Sequence, residues 1–102
     1  MQASSKLIQI EEALLKLKST TEASSFLMAM LTAQENQQLR KRWELVQLRT
    51  LGMSRSEAQK AAQVSNDTAN AAERVLRSPE RAILDTVIHR SSDAVAGDKA
   101  AE

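Results

Sequence analysis

The side chains best suited to chemistry are gathered between Arg55 and Arg77. On a helix starting near Ser65, the residues Asn66, Asp67, Asn70, Arg74 and Arg77 share one side, with Thr68 near its edge. Asn and Arg read base edges through paired hydrogen bonds, and Arg and Thr hold phosphates. The amides at the start of such a helix also face an anion. Arg55 and Lys60, just upstream, add cations for phosphate contacts alongside Arg74 and Arg77. Asp67 opposes phosphate unless it accepts a hydrogen bond from a cytosine amino group. The competing reading is an αα-hairpin whose polar side is merely solvated. Catalysis has no comparable set. His89 is the single histidine and there is no cysteine, so neither a Ser-His-Asp nor a Cys-His arrangement can be assembled. A solvated or capping role suits His89, and Glu11-Glu12 reads as a solvated helix face. An enzyme is not expected, nor a metal or other cofactor.

Two short helices must position the polar side chains, meeting at a turn and forming a helix-turn-helix over about residues 54–77. Packing requires small or apolar residues inward, and Ala58, Ala62, Ala69, Ala72, Val75 and Leu76 stand at workable spacing around an apolar plug, Val64. Ser54-Arg-Ser-Glu57 is a capping box for the first of the pair, and Ser65 or Asn66 caps the second. Gln63 occupies the turn where many such motifs carry glycine.

The remaining elements follow from caps and periodicity. A first helix is expected from about Ser5 to Lys18, with Leu7, Ile8, Ile10, Ala13, Leu14 and Leu17 as its apolar stripe. The capping box Ser19-Thr-Thr-Glu22 opens a short helix bearing Phe26, Leu27, Met28, Met30 and Leu31. Thr32-Ala-Gln-Glu35 opens the longest, to about Leu51, with Leu39, Trp43, Val46, Leu45, Leu48 and Leu51 on one side and Gly52 at its end. Trp43 is read as core. Ser78-Pro79 is expected to start a last helix bearing Ile83, Leu84, Val87 and Ile88, Ser78 as its cap. The fold expected is all-α, five to six helices forming one domain over 1–90, with 91–102 as a disordered tail.

Composition agrees. The 102 residues suffice for one domain, and sixteen alanines against one proline favour helix. No stretch has the continuous apolar core of a signal peptide or membrane span, so a cytoplasmic protein without membrane attachment is expected. The net charge of +1 conceals an asymmetry: from Arg40 to Arg90 there are ten Lys and Arg against six Asp and Glu. That mild excess is compatible with a phosphate-facing surface.

The run Met30-Leu-Thr32, then Glu35, Leu39, Arg42, Val46, Gly52, Met53-Ser54 and Glu57, continuing through Thr68 and Leu76, resembles the Trp repressor family, with one residue deleted between Gly52 and Met53. The resemblance covers about half the chain. It implies a dimer in which the N-terminal helices of two copies interlock, bound as a transcriptional regulator, in the repressor sense, to a two-fold operator in double-stranded DNA. The broad apolar stripes of the first two helices suit that arrangement. It also implies a corepressor pocket, onto which Thr32 and Arg42 map. The second arginine that would sandwich an indole is replaced by Ala71, and a glycine and serine beside it are absent. Half the sandwich is therefore missing, with its cation–π contribution of ~0.5–2 kcal/mol. Tryptophan is not the expected effector; another small molecule, or none, is. The family's base-reading positions fall on Asn66, Asp67, Thr68 and Asn70, of which only Thr68 is retained, so a different operator is expected. An arginine of the first motif helix falls on Ser56, with Arg55 beside it as a substitute. The alternative function is a helical adaptor or antitoxin-like protein presenting the same motif to a protein partner.

Overall fold

The computed structural model describes residues 7–90. Among them the structure is helical throughout, without strands: α1 (Ile10–Lys16), α2 (Thr20–Met30), α3 (Ala33–Thr50), α4 (Arg55–Ala62), α5 (Asn66–Leu76) and a last segment, α6, helical over 81–90. The chain divides between Gln37 and Gln38 into two compact units. The expected tail, 91–102, lies outside the described residues.

The capping boxes set the boundaries. Ser19 accepts a hydrogen bond from the Glu22 amide at 3.1 Å, and Glu22 reaches back to accept from the Lys18 amide at 2.9 Å. At α3, Thr32 Oγ1 accepts from the Glu35 amide at 3.1 Å while Glu35 accepts from the Thr32 amide at 2.9 Å. Ser54 and Glu57 make the same reciprocal pair at α4. Each box satisfies donors that the first turn of a helix leaves without intrahelical partners. Gly52 adopts φ +107° just beyond α3, a conformation that an L side chain rarely takes.

Two stretches differ from expectation. Among the described residues the first helix is Ile10–Lys16, and the expected start near Ser5 lies outside them; Gln9 is its extended N-cap, leaving Leu7 and Ile8 outside, and Glu11 and Glu12 fill the first turn where acidic groups suit the helix dipole. It also ends early, at Lys16, because Leu17 is extended and the Lys18 amide is given to Glu22. The second difference is Ser78. Its hydroxyl donates backwards to the Val75 carbonyl at 2.6 Å, closing α5, so it does not cap the helix that follows. The turn through Pro79 intervenes, and regular helix resumes at residue 81.

The unit from 38 onward has its own core. Leu45, Val46, Ala58, Ala62, Ala72, Leu76 and Ile88 are buried together, with Trp43, Leu48, Met53, Val64, Val75 and Leu84 packed against them. Alanines on α4 and α5 let the two short helices approach closely, which larger side chains would prevent. Val64 plugs the turn and Trp43 belongs to the core, as expected. Leu51 does not: it follows the last residue of α3 and is exposed. In the unit up to Gln37, α1 and α2 contain no buried residue, and Leu14, Leu15, Met28 and Met30 are exposed.

Candidate nucleic-acid interface

The turn between α4 and α5 is made by Gln63, which closes α4 in the left-handed region at φ 56°, ψ 55°. A non-glycine residue there costs about 1 kcal/mol relative to glycine. The Gln63 amide donates to the Lys60 carbonyl at 3.3 Å and that of Val64 to Gln59 at 3.3 Å, satisfying carbonyls at the end of α4. Lys41 of α3 adds a third closure, its ammonium donating to the Ala62 carbonyl at 3.1 Å. The basic run Arg40-Lys41-Arg42 therefore spends one cation on holding the motif.

With Ala69, Ala72 and Leu76 turned inward, the opposite face of α5 is exposed, and Asn66, Asp67, Asn70, Arg74 and Arg77 lie on it. Arg55, Ser56 and Lys60 are exposed on α4. Ser65 and Thr68 sit differently. Ser65 is the N-cap of α5, accepting from the Thr68 amide at 3.3 Å, and its hydroxyl lies 3.3 Å from that of the half-buried Thr68. Both hydroxyls thus form the cap at the mouth of the helix, where amides remain available to an anion.

Side chains that the sequence reading passed over tie this surface together. Arg49 of α3 donates to both carboxylate oxygens of Glu73 on α5, at 2.8 and 3.2 Å, and to the Met53 carbonyl at 3.1 Å. That fork fixes α3 to α5 and to the α3–α4 turn at once. The Arg49 hydrogen bond holds the Glu73 carboxyl below its ordinary value, outweighing the opposing effect of burial, with Arg55 and Arg77 contributing by charge. The same bond raises the Arg49 guanidinium. Glu73 is thereby engaged from inside and offsets less of the basic face. Gln59 donates to Asn66 Oδ1 at 2.8 Å, and Arg55 donates to Asn70 Oδ1. A signal for these was present: 55 and 59, like 66 and 70, are four apart and share a helix side.

Thr32 and Arg42 have separate situations. The Thr32 hydroxyl serves as the cap of α3. Arg42 lines a cleft of about 160 Å³ with Gln38, Asp67, Thr68 and Ala71. A neighbouring cleft is lined by Arg42, Ala71, Arg74, Val75, Ser78 and Glu80. Ala71 thus faces the same space as Arg42 and brings only a methyl group to it. Among the described residues no cluster of three metal-ligating side chains occurs, and no helix is long and apolar enough to cross a membrane.

A family model described as Trp repressor protein matches residues 5–87. No curated protein and no solved structure matches the chain.

Proposed function

The chain belongs to the Trp repressor family of DNA-binding helix-turn-helix regulators, and we propose that it is a sequence-specific transcriptional repressor acting as a cytoplasmic homodimer. The observation that carries this reading is the exposed face of α5 and its C-cap Arg77: five polar side chains, two of them arginines, beside a helix whose other face is packed into a helix-turn-helix. Residues 66–77 enter successive major grooves of a two-fold operator. Asn66, Asp67 and Asn70 meet base edges; Arg55, Lys60, Arg74 and Arg77 hold phosphates. Ser56 lies at the edge of this surface, and Ser65 and Thr68 present the helix amides.

Dimerisation is supported by α1 and α2. Helices of seven and eleven residues are marginal alone, and these bury no residue. A second copy would cover Leu14, Leu15, Met28 and Met30. Tryptophan is not the effector, since Ala71 stands where the second arginine of the sandwich would be and the cleft that Arg42 shares with Gln38, Asp67 and Thr68 has no other guanidinium in its lining. A small-molecule effector seated there would meet Arg42 and Ala71.

Selection from random DNA duplexes at two salt concentrations tests the reading. A palindromic sequence enriched at low salt is expected, with affinity falling steeply as salt rises because phosphate contacts release counterions. Arg74→Ala should weaken binding to all duplexes and reduce the salt slope by about 1. No enriched sequence at low salt would remove the DNA-binding reading in favour of a protein partner.

A further inference from the structure

Four side chains form two rungs between α4 and α5, and the chemistry of the anchors decides which way two amides point. Gln59 sits against the Val64 backbone carbonyl, Nε2 to oxygen 3.4 Å, and a carbonyl can only accept. The nitrogen of Gln59 therefore faces the turn, and the same nitrogen meets Asn66 at 2.8 Å, which must offer its oxygen. The second rung has a simpler anchor. A guanidinium has donors and no acceptor, so Asn70 too must turn its oxygen to Arg55.

Both asparagines are exposed, and with their oxygens held by α4 their Nδ2 groups are left to face outward. We propose that Gln59 and Arg55 are positioning residues that preset Asn66 and Asn70 as hydrogen-bond donors, so that the operator carries guanine in preference to adenine at the bases they meet. Guanine offers two acceptors, N7 and O6, on its major-groove edge. The bidentate contact of asparagine with adenine needs oxygen and nitrogen side by side, and so requires the side chain to leave its rung. Arg55 keeps its remaining donors for a phosphate. The inference rests on the DNA-binding reading above and specifies what that surface reads.

Selection over random duplexes with three proteins tests it: wild type, Gln59→Ala and Gln59→Glu, each verified as folded by circular dichroism. Wild type should enrich guanine over adenine about tenfold at the two positions per half-site that Asn66 and Asn70 meet. In Gln59→Ala that preference should fall toward parity at the Asn66 position alone. A glutamate accepts and cannot donate, so Gln59→Glu should turn Asn66 around and move the preference to a base with an exocyclic amino group, cytosine or adenine. The side-chain amide protons of Asn66 report the same reversal by NMR in the free protein, shifting downfield in Gln59→Glu. An enriched operator whose base preferences survive both substitutions overturns this inference alone. No enriched operator from wild type overturns the DNA-binding reading and this inference with it.

Discussion

Helices α1 and α2 carry large apolar side chains and bury none of their residues, whereas the segment from 38 to 90 closes a core around Leu45, Val46 and four alanines. The first region is rich in Leu, Ile and Met; the second relies on small residues. Size explains the contrast. Alanines let α4 and α5 approach, so a short segment can satisfy its own packing, while Leu15 at 87% exposure and Met28 at 67% need a surface this unit does not supply. On the proposed reading the first region is completed by a second copy, while the second holds α5 in place.

The largest expected effect breaks the first half of that contrast. The double variant Leu15→Glu/Met28→Glu should weaken the dimer roughly 100-fold or more, since each buried side chain of this size contributes about 1.5–3 kcal/mol. Sedimentation equilibrium at micromolar concentration should then show a monomer, where wild type shows a dimer; a wild-type monomer that is folded removes the idea. Next, Leu45→Ala attacks the self-sufficient region and should cost about 2–5 kcal/mol in chemical unfolding. A cost below about 1 kcal/mol would mean that the core does not lie where α3, α4 and α5 place it.

The Arg49–Glu73 fork sharpens the contrast by testing what rigidifies the second region. Glu73→Gln should cost about 1–2 kcal/mol at neutral pH, between the values for exposed and buried charged pairs. Because the folded carboxyl titrates below its ordinary value, the fork contributes fully above the ordinary carboxylate range and is lost as pH falls through the lowered folded value. The gap between wild type and Glu73→Gln should therefore narrow as pH falls below that range. A gap independent of pH would assign the effect to shape rather than charge. The smallest change concerns the turn: Gln63→Gly should raise stability by about 0.5 kcal/mol, relief of left-handed strain being partly offset by a more flexible unfolded chain. A loss in thermal melting would show that the Gln63 side chain itself is needed.

Much of the fold was legible because its signals are local. Ser19, Thr32 and Ser54 with their glutamates three residues on are reciprocal hydrogen bonds written within one turn of chain, and Gly52 falls where α3 must end. The inward alanines of the motif follow from helical spacing alone. Ser78 was misjudged because a serine before proline suits a helix start, yet its hydroxyl had a nearer acceptor in the Val75 carbonyl. Leu7 and Ile8 continue the apolar pattern of α1, yet both precede its extended N-cap, Gln9, and lie outside the helix.

By itself, then, the sequence determined the helical class, the helix-turn-helix with its exposed polar face, and the presence of Ala71 where an arginine would complete an indole sandwich. The first two depend on residue type and on separations of three or four positions; the reading of Ala71 is what the resemblance to the Trp repressor family implies. The tertiary structure decided what that polar face is tied to: Glu73 to Arg49 across 24 residues, Asn70 to Arg55 across 15, and Asn66 to Gln59 across the turn. Such pairs form only once α3, α4 and α5 are packed, since it is the packed backbone, and not the order of residues, that brings a donor within reach of a particular acceptor.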